Sequence, residues 1–284
     1  MTIQWYPGHI AKAERQLKEQ LKLVDVVLEV RDARIPLTTH HPQVQEWVGS
    51  KERVLVINRV DTIPKVVENE WRTWFEERGE TPYFTNAQQG DGVRAVAQAA
   101  KSVSDRVNRR RRDRGMRPRP VRAVVIGFPN VGKSALINRL LGRRVVESAR
   151  RPGVTRQLRW VKISKELELL DAPGVIPTKL DDPQGAVKLA ICDDIGDAAY
   201  ENLLVAAELV ELICFMDDSF PGMGAAQTLK SRYDPDPFAS SGEQYIHAIA
   251  ESRYQGDVER AARQLLNDFR KGLLGAIALE LPPI

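Results

Sequence analysis

Gly127-Phe-Pro-Asn-Val-Gly-Lys-Ser134 follows directly on the apolar run Val121-Arg-Ala-Val-Val-Ile126. The pattern is a buried strand feeding a glycine-rich turn, and the residues beyond it, Ala135 to Leu141, have the periodicity of a helix. This is the context a phosphate-binding loop requires. Gly127 and Gly132 let the backbone curl so that its N–H groups converge on an anion at the helix N-terminus. Lys133 supplies a point charge for the β- and γ-phosphates, and the Ser134 hydroxyl suits a Mg²⁺ ion. Pro129, Asn130, Val131, Gly132, Lys133, Ser134 and Ala135 are therefore expected around the phosphates of a nucleoside triphosphate, with Lys133 also stabilising the reaction's charge.

Two further segments extend the site. Asp171-Ala-Pro-Gly174 comes after the apolar stretch Leu167-Glu-Leu-Leu170. An aspartate at a strand's end can hold the Mg²⁺ shell, and the Gly174 N–H can meet the γ-phosphate. Between the two, Arg151-Pro-Gly-Val-Thr155 offers a threonine on a loop, suited to be a second Mg²⁺ ligand that orders around the γ-phosphate. The expected metal ligands are Ser134, Thr155 and Asp171. A D-x-P-G sequence is also an ordinary turn, and its distance after the phosphate loop favours the functional reading.

The base-reading element lies upstream. Val54-Leu-Val-Ile57 reads as a buried strand ending in Asn58-Arg-Val-Asp61, close to an N-K-x-D pattern. A carboxylate at Asp61 accepts hydrogen bonds from the guanine N1–H and exocyclic amine, which adenine cannot offer, so an unpaired buried acceptor rejects the wrong base. Arg59 replaces the usual lysine and keeps both charge and apolar stem. The strand-like stretch Thr81 to Phe84 leads to Thr85-Asn-Ala87, where a backbone N–H at Asn86 or Ala87 can meet the guanine carbonyl. A plain turn remains an alternative for N-x-x-D.

The order is thus base reading, phosphate loop, switch loop and Mg²⁺ aspartate, whereas ordinary GTPases begin with the phosphate loop. In this order the chain resembles the circularly permuted GTPases, and among them the bacterial RbgA/YlqF ribosome-assembly family. The opening Ile3-Gln-Trp-Tyr-Pro-Gly-His9, the strand end Arg31-Asp-Ala-Arg-Ile-Pro36 and Glu166 to Gly174 carry the same resemblance. It implies a circularly permuted P-loop GTPase domain with a doubly wound, mainly parallel sheet, followed by a smaller, mostly α-helical domain that helps dock on the ribosome. It also implies a GTP/GDP- and Mg²⁺-dependent factor acting on the large ribosomal subunit, with rRNA and ribosomal proteins as partners. His9 resembles the histidine this family is thought to use in catalysis. Asn130 resembles the loop asparagine of GTPases that use K⁺ in place of an arginine finger. Val175 stands where many GTPases carry a water-orienting glutamine, so isolated turnover is expected to be slow.

Composition bounds the remainder. The 284 residues are 43% hydrophobic and 28% charged, ordinary for a globular chain with real cores. Cys192 and Cys214 form no C-x-x-C pair and read as buried, reduced thiols. No run has the length of a membrane span, and the motif-like first residues leave no room for a leader, so a cytoplasmic protein, monomeric off the ribosome, is expected.

Charge is uneven. Residues 101–122 hold ten basic and two acidic groups, with Arg109, Arg110, Arg111, Arg112 and Arg114 at the centre. Their mutual repulsion suggests an extended linker, neutralised by RNA phosphates. Residues 163–284 carry 10 basic and 21 acidic groups, which argues against simple electrostatic docking there.

Strands alternating with helices place a GTPase domain at residues 1–178, with the Arg-rich linker at about 101–122. Helical patterns at Ala198–Phe215, Gly242–Tyr254 and Asp257–Leu274 place a helical domain at 179–284. The pairs Asp181-Asp182 and Asp193-Asp194 read as helix caps rather than metal ligands. Two other functions remain open. One is an RNA-binding module modulated by nucleotide without significant turnover. The other is a metabolic enzyme using the P-loop, for which no catalytic base presents itself.

Overall fold

The computed structural model describes residues 17–142, 159–162, 167–171, 182–195, 200–220 and 223–283. Six strands form one sheet: β1 (Val26–Asp32), β2 (Glu52–Asn58), β3 (Pro82–Thr85), β4 (Val121–Ile126), β5 (Arg159–Lys162) and β6 (Leu167–Asp171). Their spatial order is β3-β2-β1-β4-β6-β5, and all pairings are parallel except that of β5 with β6. β1 is buried along its whole length, charged residues included. A strand covered on both faces reads as a mainly apolar run without alternation, as β4 does; β1 is equally buried but carries Glu29, Arg31 and Asp32.

The path explains where a ligand can sit. From β1 the chain walks outward through β2 to β3, returns to β4, then crosses to the opposite edge at β5 and turns back to β6 beside β4. β1 and β4 are neighbours in register from Val26↔Ala123 to Glu29↔Ile126. The order reverses between these two strands, so the crevice beyond their C-terminal ends is the site an open α/β sheet offers.

Among the described residues the helices that alternate with the strands are α1 (Val44–Val48), α2 (Lys65–Glu77), α3 (Val93–Asp113) and α4 (Lys133–Leu141), and α5 (Pro183–Ile191) follows β6 in the chain. The return from β3 to β4 is made by α3, 21 residues and so about 30 Å long. This corrects the expectation of an extended arginine linker over 101–122, because the chain is helical as far as Asp113. Three effects offset the repulsion. Arginine is a good helix former. Arg110, Arg111 and Arg112 lie in the last turn, where the helix dipole favours cations. Val93, Val96, Ala100, Val103, Ser104 and Asn108 give the helix a buried face. The connection that follows is short and tied down: Asn108 bonds both the N–H and the carbonyl of Arg119, whose guanidinium forks onto Asp25 at 2.8 and 2.9 Å.

The chain divides into two compact units, one holding Tyr6–Val60 and Trp71–Lys179, the other Asp61–Glu70 and Leu180–Ile284. Within the first, Trp71 and Phe75 are buried and Trp74 meets both edge-on, so these aromatics are core. The second is helical among its described residues, with α5, α6 (Asn202–Ser219), α7 (Ala225–Tyr233), α8 (Gly242–Arg253) and α9 (Val258–Arg270). Three of its helix starts are capped by side chains: Asp182 before Pro183, a Ser241/Gln244 capping box, and Asp257 accepting from the Arg260 N–H. A Cβ on Gly242 would fall 2.2 Å from the Ala207 carbonyl, so only glycine lets α8 approach α6 this closely. Leu189, Leu209, Ile213, Ile249, Leu265 and Leu266 fill the core. Cys192 is buried, whereas Cys214 is half-buried; burial and nearby Glu211 push its thiol up to about 11, leaving it protonated at neutral pH. No helix among the described residues is long and apolar enough to cross a membrane.

Candidate functional site

The turn after β4 is built by close approaches that exclude a side chain. Gly127 has φ +150°, and a Cβ there would lie 2.3 Å from the Val30 carbonyl, so the loop lies directly against the end of β1. Gly132 has φ +99°, and its missing Cβ would meet the Asn58 amide nitrogen at 2.1 Å. α4 starts at Lys133 with no side-chain cap, which leaves first-turn N–H groups available to an anion. The Lys133 ammonium is buried against the carbonyls of Gly127 and Phe128, at 3.1 and 2.6 Å. A cation anchored by its own loop is held where phosphates on the helix N-terminus would meet it.

Asn58, at the end of β2, ties three segments together. Its Oδ1 accepts from the Thr85 hydroxyl and the Ala87 N–H, both at 3.0 Å, and its Nδ2 donates to the Val131 carbonyl at 2.8 Å. Asn58 therefore positions the loop after β3 and the loop after β4, expected to read the base and to hold the phosphates, relative to each other. Asn86 organises the first of these from within, its Oδ1 accepting from the N–H groups of Gln88 and Gln89 at 3.1 Å. Its backbone closes the loop by bridging to Asp91, and Arg139 of α4 donates to the carbonyls of Ala87 and Gln88.

Arg59 departs from an N-K-x-D lysine in what it touches. It holds φ +66°, donates to the Asn130 carbonyl at 2.5 Å, and lies 3.5 Å from Asp32. Asp32 is wholly buried at the end of β1, clasped by Arg34 through Nε (2.9 Å) and Nη2 (2.7 Å). Burial raises its pKa, but the Arg34 and Arg59 guanidiniums outweigh burial and hold the carboxyl below its ordinary range. The segment Arg31 to Pro36 is thus a clasp under the phosphate loop. Sequence reading missed this role of Asp32 and the pinning role of Arg139. The available signal for Asp32 was an aspartate ending a continuous apolar strand.

Asn58, Arg59, Asn86, Ala87, Pro129, Asn130, Val131, Gly132, Lys133, Ser134 and Ala135 gather around the ends of β2, β3 and β4. Asp61 lies in the short 3-10 turn Val60–Thr62 and is exposed. Asp171 ends β6 opposite Val125 of β4. His9, Thr155 and Gly174 lie outside the described residues. Arg109, Arg110, Arg111 and Arg112 are at the far end of α3 from the base-reading loop, about 24 Å or more along the helix, with Arg114 its C-cap.

A phosphate loop at the switch point of this sheet, with its base-reading segment encoded upstream, defines a circularly permuted P-loop GTPase. A family model described as "50S ribosome-binding GTPase" matches residues 122–233. That segment starts in β4, so β2 and β3, whose ends were expected to read the base, fall outside it. The chain is 36% identical to "Ribosome biogenesis GTPase A" of Bacillus cereus over 99% of its length and 95% of that protein's. It is 34% identical to the protein of the same name from Bacillus pumilus, over 99% of both. The crystal structure of GNP-bound YlqF from Thermotoga maritima shares the fold, with a TM-score of 0.67 at 23% identity over 95% of this chain and 98% of that one. The chain belongs to the ribosome biogenesis GTPase A family, and it is a GTP-binding, GTP-hydrolysing protein.

Proposed function

We propose that this GTPase acts in assembly of the large ribosomal subunit, binding rRNA-containing particles in its GTP form and leaving them on hydrolysis. The observation that carries the nucleotide part is the Asn58 tie between the base-reading and phosphate loops. It makes one rigid cradle of elements that lie on either side of a permutation. Asp61 reads guanine through its carboxylate, and the α4 N-terminus with Lys133 takes the phosphates. The N–H groups of Asn86 and Ala87, expected to meet the guanine carbonyl, are instead bonded to the Asp91 carbonyl and Asn58 Oδ1, so their part is to shape the loop.

Mg²⁺ is the metal expected with GTP. Ser134 in the first turn of α4 and Asp171 at the end of β6 are hard oxygen donors on adjacent strands' outlets, a set that suits Mg²⁺; Thr155 would complete it. The ion would neutralise charge on the β- and γ-phosphates. The chain's own part is positioning: Lys133 balances charge, and Gly174 meets the γ-phosphate. Val175 cannot orient a water, so catalysis is completed by other groups. Asn130 would hold K⁺ beside the phosphates, and His9 would act on the attacking water or on developing charge. The exposed arginines of the Arg109–Arg114 stretch contact rRNA. The protein works as a monomer in the cytoplasm.

The test is steady-state GTP hydrolysis in potassium buffer, with and without purified large ribosomal subunits. Stimulation of tenfold or more by large but not small subunits is the expected result. Equal rates with and without subunits would overturn the ribosome-activated reading.

A further inference from the structure

The C-terminal half of α3 and the turn after it form a cationic surface whose charges have no internal use. Arg109, Arg110, Arg112 and Arg114 are exposed, and none of their guanidiniums makes a hydrogen bond or ion pair among the described residues. Their neighbours differ: Arg106 pairs with Glu52, Arg111 donates to the Arg117 carbonyl, and Arg119 is held by Asp25. Fixing four unpaired guanidiniums on one rigid turn costs electrostatic self-energy, which a polyanion relieves.

The chemistry of the surface selects the kind of polyanion. Residues 93–120 contain no Phe, Tyr, Trp or His, so the helix offers splayed bases guanidinium planes but no aromatic ring on which to stack. Single-stranded RNA is normally held by such stacking, whereas duplex RNA is held through phosphates and shape. Guanidiniums on a helix, with fixed spacing and forked donors, suit a row of phosphates.

The other end of the same helix begins inside the base-reading loop. Gly92 caps α3, and its missing Cβ would lie 2.1 Å from the Phe84 carbonyl, so helix start and β3 end cannot move independently. Asp91, the preceding residue, accepts from the Asn86 N–H at 3.0 Å. From Asn86 the path runs through Ala87 to Asn58 and on to Val131 of the phosphate loop. α3 also packs on α4, the helix that starts at Lys133.

We propose that the arginine surface formed by Arg109, Arg110, Arg112 and Arg114 is a receptor for double-helical RNA backbone, and that its occupancy changes guanine nucleotide affinity through α3 and the 85–92 loop. This rests on the rRNA reading above and adds the form of the RNA and the route of regulation. Linkage requires reciprocity: whatever factor the duplex imposes on GDP affinity, GDP imposes on duplex affinity.

The experiment uses the full chain, a 20-base-pair RNA duplex, the matching single strand and fluorescent GDP. Wild type should bind the duplex at least tenfold more tightly than the single strand. The R109Q/R110Q/R112Q/R114Q variant should bind it at least tenfold more weakly, with the salt slope reduced by up to about four. GDP affinity should shift at least threefold when wild type is saturated with duplex, and not at all in the variant. Without RNA the variant should bind GDP as wild type does, which establishes that it is folded. Arginine-dependent duplex binding with unchanged GDP affinity would overturn the coupling and leave the rRNA reading standing. Duplex binding that is absent, insensitive to the arginines, or no tighter than single-strand binding would overturn the surface assignment itself. Preference for phosphatidylserine vesicles over duplex would do the same.

Discussion

The Asn58 side-chain amide donates to the Val131 carbonyl at 2.8 Å, joining two residues 73 positions apart. The same side chain accepts from Thr85 and Ala87, so one buried amide fixes two loops. Asn58→Ala leaves the Val131 carbonyl and the Ala87 N–H without these bonds, at about 1–3 kcal/mol each. The expected outcome is a loss of about 3 kcal/mol in urea unfolding and GDP binding weakened tenfold or more. Asn58→Asp separates the two ties, because a carboxylate can still accept from Thr85 and Ala87 but cannot donate to Val131. It should lose GDP affinity and also stability, because a buried carboxylate oxygen then faces the Val131 carbonyl where an N–H had been. Unchanged GDP affinity in Asn58→Asp would show that the tie to the phosphate loop has no bearing on binding.

Asp61 is the residue on which guanine selection should depend. Asp61→Asn removes an acceptor for the guanine N1–H and amine and supplies a donor for a carbonyl at the same ring position. GTP affinity should fall at least about a hundredfold, as expected when a polar recognition pair is lost, while xanthosine triphosphate should gain. Competition against fluorescent GDP checks both. Equal competition by ATP and GTP in wild type would remove Asp61 from the site.

Much of this site was legible because its chemistry is local. Gly127, Gly132, Lys133 and Ser134, set between an apolar strand and a helix, announce a phosphate loop, and β4 reads as mainly apolar because both its faces are covered. What was not legible depends on contacts distant in sequence. Nothing near Asn58 indicates that it reaches Val131, and nothing near Asp32 indicates the Arg59 guanidinium beside it. The arginine tract misled for a related reason. Its charge suggested an extended chain, but Val96, Ala100 and Val103, which make it a packed helix, precede the densest charge. The edge strand β5 is short and carries two basic residues, so its sequence gives little strand signal.

Potassium dependence should be visible before any ribosome is added. If Asn130 holds K⁺ beside the phosphates, hydrolysis in K⁺ exceeds that in Na⁺ at equal ionic strength by severalfold. Asn130→Ala should remove that ratio while leaving GDP affinity within about threefold, since one neutral hydrogen bond is worth about 1 kcal/mol. Arg59 donates to the Asn130 backbone carbonyl, so the loop keeps that contact in the variant. Identical rates in K⁺ and Na⁺ would assign Asn130 to loop geometry alone.

Acid stability should depend on Glu29, which sits 1% exposed in β1. Burial raises the pKa of this carboxyl, yet the hydrogen bond from His40 and the charge and hydrogen bond of Arg31 outweigh it, lowering the value from 4.5 to about 2. Arg31 Nε lies 2.7 Å from Oε1 and Arg53 Nη1 2.8 Å from Oε2. Because the folded pKa is below the unfolded one, the stabilisation is fully present above about pH 4.5 and disappears as pH falls through about 2. A shift of this size is worth about 3 kcal/mol. Glu29→Gln should therefore be destabilised by about that amount at pH 7, where Arg31 and Arg53 lose their counter-charge. The gap to wild type should narrow steadily as urea unfolding is repeated from pH 5 to pH 3. A gap of constant size across that range would mean that Glu29 contributes by packing and not by its charge.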